Sequence, residues 1–516
     1  MLCERRGGTP PASRNYDEVM SATEREIKLG AAETFRMPSL DGLVAGVTAT
    51  PSEAERLSTT YFDTGDLRLA RWGMSLRHRA GQGWTVKLPT AEAGLVLVRP
   101  EITFEGNGEE PPGEAVDLVR AVVRSSTLET QTQLNTIRRR IALHDGDGSL
   151  VADVFDDEVS VLKGEHPVVS FRELEVEVTE RTPPGLMDAL VDQLLCAGAG
   201  APDPTPKYIR SLGPFAALSA EIPLPALGPE PTCGDIVRRA IARSVVRLVE
   251  HDPVMRLDSD PEGVHQARVA TRRLRSDLRT FRTLVDPALV ASLRDELGWL
   301  AGILGSVRDG DVLLERIRGN ASRLPESSRP GADRVIGALA VTREDAREAL
   351  FDTLRSDRYV ELLDLLVAAA KTPALRSAAE LPARDALPAL VRDPWRLLEK
   401  RAEALGETPS DDALHDIRVR TKRVRYAAEA VAPVMGHGAR SFAAAAANLQ
   451  EVLGDLNDAV VAEGWLREWA HGSQSPSGVF AAGELAALER ADAQRSRARW
   501  RKAWRKLAAT KLRSWM

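Results

Sequence analysis

Glu173-Leu174-Glu175-Val176-Glu177-Val178 sets three carboxylates two residues apart, and Glu24-Arg25-Glu26-Ile27-Lys28-Leu29 alternates charge in the same way near the start of the chain. In an extended strand alternate side chains share a face, so Glu173, Glu175 and Glu177 point the same way. Three like charges side by side repel one another and are accounted for if cations sit between them. Further candidate strands carry one sign of charge each. The acidic ones hold Glu24 and Glu26, then Glu101, then Asp153, then the 173–177 set. The basic ones hold Arg77 and Arg79, Lys87, and Arg138 and Arg140; Lys28 shares the face of Glu24 and Glu26, and Lys207 follows the last helical stretch of this half. Carboxylates in that number suit hard divalent cations bound through oxygen, magnesium or manganese. Arginine and lysine do not bind metal and serve an anion instead, the guanidinium fork matching phosphate oxygens. Metals and anion clamps together read as a polyphosphate site. A solvated sheet face laced with ion pairs explains one such strand, but poorly explains seven with the signs grouped strand by strand.

The helical half holds a second kind of chemistry. His265, Arg268, Arg272, Arg275, Arg279 and Arg282 are spaced by three or four residues, as are His415, Arg418, Lys422 and Arg425. At 3.6 residues per turn each series makes one stripe. Arg273 and Arg423 sit beside these stripes in the shared pattern H-x-x-R-x-x-T-[KR]-R-x-R, which recurs at an offset of 150. Leu304-Gly305 through Arg308-Asp309 recurs as Leu453-Gly454 through Asn457-Asp458, at an offset of 149. Two motifs repeating in order make a duplicated helical domain. Arg497, Arg501 and Arg505 form a further stripe beside Trp500 and Trp504. Dense cationic stripes repel themselves unless something anionic lies along them. Aromatics are only 5% of the chain and are not interleaved with these cations, which argues against single-stranded nucleic acid.

These residues need elements to hold them. Period-two patterning marks strands at 24–29, 57–62, 74–79, 84–88, 97–104, 134–143, 150–155, 159–162 and 171–178, with helices at 114–124 and 185–197. The apolar alternates, among them Ile27, Leu29, Val154, Leu174, Val176 and Val178, pack outward against helices and leave the charged face inside. Residues 1–20 read as a disordered extension, with Met20 a second conceivable start, and 21–213 as the strand domain. The Pro-rich stretch 214–230 is a linker. From 231 to 516 the period is helical, in repeats of about 231–375 and 385–516 separated by a Pro-containing break at 371–394.

Bulk properties exclude more than they identify. A chain of 516 residues is too long for one core. The formal charge of −6 names no partner. Three cysteines without C-x-x-C spacing rule out a disulfide framework or cysteine zinc site and favour a reducing cytosol. No apolar run approaches the roughly 20 residues of a membrane span. No P-loop, dinucleotide glycine fingerprint, H-E-x-x-H or nucleophile elbow is present.

The segment 23–212 resembles the CYTH family, the triphosphate tunnel metalloenzymes, through Glu24, Glu26 and Lys28, then Tyr61-Phe62-Asp63-Thr64, Leu76-Arg77-His78-Arg79, Trp84 to Pro89, the Arg138 strand, Asp153, the 173–177 strand and Lys207-Tyr208. The resemblance implies an eight-stranded antiparallel tunnel binding a triphosphate with two divalent cations, Mg2+ or Mn2+. In it Glu24, Glu26, Glu101, Asp153, Glu173, Glu175 and Glu177 hold metal, and Arg77, Arg79, Lys87, Arg138, Arg140 and Lys207 grip phosphate. Glu24, Glu26 and Lys28 form the catalytic set. Residues 231–516 resemble the CHAD family through the His265 and His415 motifs and the Arg308-Asp309 and Asn457-Asp458 pairs. That resemblance implies two duplicated helical bundles whose basic surface binds inorganic polyphosphate. The fold class expected is therefore an α+β domain with an eight-stranded β tunnel followed by an all-α domain. The function expected is metal-dependent hydrolysis of inorganic triphosphate or polyphosphate, in the cytoplasm or at polyphosphate granules. A non-catalytic polyphosphate scaffold and an adenylate cyclase remain open alternatives.

Overall fold

A computed structural model describes residues 20–89, 97–106, 110–164, 166–213, 219–258 and 260–516, with the backbone alone at 20–24 and 97–99. Residues 1–19 of the expected extension and 214–218 of the expected linker lie outside the described residues, while Met20 opens the first strand.

The strand half contains β1 (Met20–Ala31), β2 (Thr48–Pro51), β3 (Glu55–Asp63), β4 (Ser75–Arg79), β5 (Gly83–Lys87), β6 (Leu97–Phe104), β7 (Glu129–His144), β8 (Leu150–Lys163) and β9 (His166–Val178). Its helices are α1 (Arg68–Arg71), α2 (Gly113–Val123), α3 (Leu186–Cys196) and α4 (Lys207–Ser211). All pairings are antiparallel, in the order β7-β3-β4-β5-β6-β1-β9-β8, and β8 pairs back onto β7. Eight strands therefore close on themselves. β2 continues β3 along the same edge of β7, since Pro51 faces Ile141 and Glu55 faces Arg138. Closure removes the unpaired edges an open sheet would expose.

The expected inside-out arrangement holds. Ile27, Leu29, Val154, Leu174, Val176 and Val178 form one buried cluster with Leu186, Leu190 and Leu194 of α3. Each such leucine contributes on the order of 2 kcal/mol by burial, so an apolar coat outside the barrel, rather than a plug within it, stabilises this half. Trp84, Val86 and Ile102 are likewise fully buried, as are Ala115 and Val119 of α2. Gly83 carries a turn that admits no side chain, because its φ is +82° and a Cβ would lie 2.5 Å from the Phe104 carbonyl oxygen.

One expectation is corrected. The strands read at 150–155 and 159–162 are a single strand, β8, 14 residues long. Asp156-Asp157-Glu158 looks like a turn in isolation. Asp156 instead accepts two hydrogen bonds from Arg172 at 2.7 Å and Asp157 accepts two from Arg138 at 2.9 and 2.7 Å, so the acids sit comfortably mid-strand.

The chain divides into two units near Glu221. The second is helical: α5 (Cys233–Leu257), α6 (Glu262–Thr280), α7 (Pro287–Ala321), α8 (Arg329–Arg355), α9 (Asp357–Lys371), α10 (Ala383–Glu403), α11 (Asp411–Met435), α12 (His437–Gly472) and α13 (Pro476–Leu507). α5 and α10 begin 150 residues apart, as do α7 and α12, so the duplication extends helix by helix with α9 as the joint. Pro388, expected in the break, lies inside α10. The two repeats share a core in which Leu314, Ile317 and Val335 of the first meet Leu466, Ala481 and Leu485 of the second.

Candidate functional site

Cross-strand partners share a face, so the registers settle which charges meet inside the barrel. Glu173, Glu175 and Glu177 on β9 oppose Asp157, Phe155 and Asp153 on β8, and Asp157 and Phe155 oppose Arg138 and Arg140 on β7. Glu26 and Lys28 oppose Glu177 and Glu175. Arg138 faces inward; Arg140 shares its face of β7 but is partly exposed and pairs with Asp153 outside the cavity lining, and Arg139 faces outward to Glu158 at 2.8 Å. Within the barrel a cavity of about 230 Å³ is lined by Glu26, Lys28, Arg77, Arg79, Lys87, Glu101, Arg138, Asp157, Glu175, Glu177 and Lys207, with Thr59, Tyr61 and Tyr208 among the neutral side chains.

One wall is acidic. Glu26, Glu175 and Glu177 each offer an oxygen within 4.8 Å of the others, a separation a divalent cation can bridge. Lys28 offsets the charge of this wall, 3.0 Å from Glu26, 3.8 Å from Glu173 and in direct contact with Glu175. Burial pulls the Lys28 pKa down, but Glu175, Glu26 and Glu173 overcome it and hold the ammonium above its ordinary value. Glu175, though buried, stays well below the usual carboxylate range because Lys207, Lys28 and Arg138 surround it. Glu173 is pushed the other way by burial, against the pull of Lys207, and neither of its oxygens makes a hydrogen bond.

The facing wall is basic. Arg77 lies 3.3 Å from Glu101, which also contacts Lys87. Arg79 has no carboxylate partner among the described residues; its donors reach Thr59 Oγ1 at 3.3 Å and Gln82 at 3.1 Å. Burial and the neighbouring Arg77 and Arg138 lower its pKa to about 10. A guanidinium held this way, beside two more, is poised for an incoming anion.

The short helix α4 closes the cavity with cations. Lys207 reaches Asp157 at 2.6 Å, Glu175 at 2.8 Å and Glu173 at 3.4 Å, and Arg210 reaches Glu173 at 3.3 Å. Tyr208 stacks on Tyr61 with ring centroids 5.0 Å apart and donates to Asp63 at 3.0 Å. Asp63 itself accepts from the backbone N–H groups of Thr64, Leu69 and Ala70, which fixes α4 against α1.

Several sequence candidates fall elsewhere. Asp153 does not line the cavity; Arg140 holds it through two hydrogen bonds of 2.7 and 2.8 Å. Glu101 stands on the basic wall, away from the acidic triad. Glu24 pairs with Arg99 in the backbone, and its side chain lies outside the described residues. Asp157, fully buried and central, was missed because it fell between two supposed strands. Arg210, one turn beyond Lys207, was missed as well.

In the helical unit the stripes of α6 and α11 converge. Arg268 pairs with Asp309 at 2.9 Å and Arg418 approaches Asp458 at 4.0 Å, while His415 meets Asn457 at 2.7 Å. The repeated glycines Gly305 and Gly454 lie beside the equivalent arginines, where a Cβ would stand 3.9 Å from the Arg268 guanidinium and 4.0 Å from that of Arg418, in ordinary contact. Lys422 is driven down to about 8 by burial and by Arg418, Arg272 and Arg268. Burial and nearby Arg308 lower His265 too. Arg275 and Arg423 are exposed, and Arg273 and Arg425 both bind Glu429. The C-terminal stripe is satisfied separately, Arg497 by Asp411 and Arg501 by the Gly406 carbonyl, with Arg505 donating to the Arg501 carbonyl at 3.4 Å. Trp500 and Trp504 are core residues.

Comparison with known proteins agrees with this division. The CYTH domain model matches residues 22–193 and the CHAD domain model residues 239–467. An uncharacterised protein of Mycobacterium tuberculosis is 32% identical over 512 residues, covering 94% of this chain and 96% of its own length. Among solved structures, the CHAD domain from the plant Ricinus communis is similar at 26% identity and a TM-score of 0.46, covering 56% of this chain and 96% of its own. PptA from Streptomyces chartreusis gives 23% identity and the same TM-score, covering 53% of this chain and 99% of its own.

Proposed function

The chain belongs to the CYTH family through its strand domain and to the CHAD family through its helical domain, and from that premise we propose that it hydrolyses inorganic triphosphate or polyphosphate in the tunnel, with divalent cations, and binds polyphosphate on the helices. The observation that carries the reading is the opposition, across one cavity, of the Glu26, Glu175 and Glu177 triad and the Arg77, Arg79, Lys87 and Arg138 wall. The triad fits a hard cation in charge, oxygen donors and spacing. Divalent cations held there supply neutralisation of phosphate oxygens and acidify a water. Arg79 and Arg77 orient the phosphate chain, Arg138 and Lys207 stabilise charge on the departing phosphate, and Lys28 bridges Glu26 and Glu175 and offsets their repulsion. The cavity of about 230 Å³ is smaller than the roughly 300–1,000 Å³ of organic-ligand pockets. Its two tyrosines stack on each other rather than offering a face to a base. Both points favour an inorganic chain over a nucleoside triphosphate.

The test is phosphate release from tripolyphosphate, long-chain polyphosphate, ATP and thiamine triphosphate with Mg2+ or Mn2+. Glu26→Gln with Glu177→Gln is expected to lower metal-dependent release at least a thousandfold in a folded protein. Unchanged turnover in that double variant, or cyclic AMP from ATP, overturns the assignment.

A further inference from the structure

A cavity of about 730 Å³ lies between α5, α6, α11 and α12. Its charge is lopsided. Arg239, Arg243 and Arg247 form a ladder on α5 that the repeat motifs do not include, and α6 adds Arg272 and Arg273 with His265. α11 contributes Arg425 and α12 contributes Arg440. Against these seven arginines stand two carboxylates, Asp277 and Glu429. Neither acid is repeated: 150 residues after Asp277 stands Ala427, and 150 before Glu429 stands Arg279. The acids therefore belong to this cavity and not to the duplicated motif.

The two acids restrain the arginines they touch. Glu429 binds Arg273 from α6 and Arg425 from α11, the latter at 2.7 Å, and so bridges the two repeats. Arg273 also reaches Asp277 Oδ2 at 3.4 Å, while Asp277 Oδ1, in a side chain only 1% exposed, has no hydrogen-bond partner. The Tyr426 ring supports Arg272, Arg273 and Arg425, whose guanidinium carbons lie 5.6 to 6.0 Å from its centroid. Among the described residues Arg243, Arg247 and Arg440 form no close ion pair with a carboxylate, though Arg243 acts on Asp277 and Arg247 on Glu250 at longer range. The free protein thus carries surplus cations, plus two more held in reserve by Glu429.

We propose that this cavity binds a phosphate chain by exchange, the chain taking Arg273 and Arg425 from Glu429, and that binding draws a proton onto Asp277. The inference rests on the polyphosphate reading of the helical unit and adds its regulation. A chain of several phosphates fits the seven dispersed arginines better than a single phosphate would. Losing Arg273 to the ligand removes the cation that keeps Asp277 ionised, and a polyanion beside it favours the neutral form. Burial already lifts the Asp277 carboxyl to about 7, against the pull of Arg273, so a modest further rise crosses physiological pH. Glu429 raises it further and Arg243 opposes. His265 also takes up a proton near an anion, so the two contributions need separating.

Titration calorimetry of the full chain with polyphosphate of defined length, in buffers of differing ionisation enthalpy, counts the protons. Net uptake is expected near pH 7.5, with affinity rising up to tenfold for each unit of pH fall through the window. Asp277→Asn is expected to lose most of that uptake while retaining the affinity measured at pH 6. Glu429→Gln, which frees two arginines and leaves the Asp277 side chain in place, is expected to bind severalfold more tightly at pH 8. Binding with the same proton count in wild type and Asp277→Asn, or weaker binding by Glu429→Gln, overturns the exchange while leaving the polyphosphate reading intact. No binding at any pH overturns both.

Discussion

Asp157 shows what one carboxylate does in a crowded basin. It has no exposed surface and is held by Arg138 and Lys207, two cations that would otherwise lean on Glu175 and Glu173 alone. Removing one partner of a buried ion pair costs roughly 3–5 kcal/mol. Asp157→Asn is therefore expected to lower stability by about 3 kcal/mol, Glu175 and Glu173 sharing the freed cations, as read from the denaturant midpoint; an unchanged midpoint contradicts the assignment. Asp277 behaves oppositely. Its folded pKa of about 7 lies above its unfolded value, so the folded state binds the extra proton and stability is lost as pH rises through 7. Asp277→Asn should then stabilise the protein at pH 8, by up to about 4 kcal/mol, with the gain vanishing near pH 4. Equal unfolding midpoints for the two proteins at pH 8 would refute this. Neither acid was legible in the sequence. Alternation identifies which side chains share a face, but Asp157 sat in an acidic triplet that imitates a turn, and Asp277 gains its character only from helices packed around it.

Elements were more legible than contacts. The period-two runs located β6 at 97–104 to the residue, and the amphipathic stretches at 114–124 and 185–197 placed α2 and α3 within a residue of their ends. β2 escaped because four residues give too few alternations to register. α4 escaped for a related reason: a five-residue helix has no period to read. Its position comes instead from Tyr208, whose hydroxyl donates to Asp63 and whose ring lies on Tyr61. Burial, then Asp63, pushes the Tyr208 pKa upward, so the hydroxyl stays a donor throughout the working range. Tyr208→Phe keeps the stack and removes the bond, leaving an oxygen of Asp63 short of a donor at a cost of about 1–2 kcal/mol. With α4 less firmly tethered, Lys207 is held less well, and KM for tripolyphosphate is expected to rise severalfold while kcat changes little. A fall in kcat at constant KM would instead give Tyr208 a part in the chemistry.

At the scale of the molecule, the formal charge of −6 conceals two opposite solutions to handling phosphate. The tunnel nearly balances its own charges: Glu26, Glu101, Asp157, Glu173, Glu175 and Glu177 stand against Lys28, Arg77, Arg79, Lys87, Arg138 and Lys207. A triphosphate that enters with divalent cations adds little net charge, so its binding should depend weakly on salt. The helical unit leaves its cations in excess, and Lys422 is lowered to about 8 by burial and then by Arg418, Arg272 and Arg268. Polymer binding there should fall steeply with salt, by counterion release, and fall again above pH 8 as Lys422 loses its proton. No helix among the described residues is long and apolar enough to cross a membrane. Because each site draws its residues from one unit, the activities should separate. Arg268→Ala with Arg418→Ala is expected to weaken retention of long-chain polyphosphate at least tenfold at moderate salt while tripolyphosphate turnover holds. The tunnel variant Glu26→Gln with Glu177→Gln should do the reverse. Polymer retention lost in the tunnel variant, with its helices intact by circular dichroism, would mean that the long chain is held in the barrel and that the helical cations serve something else.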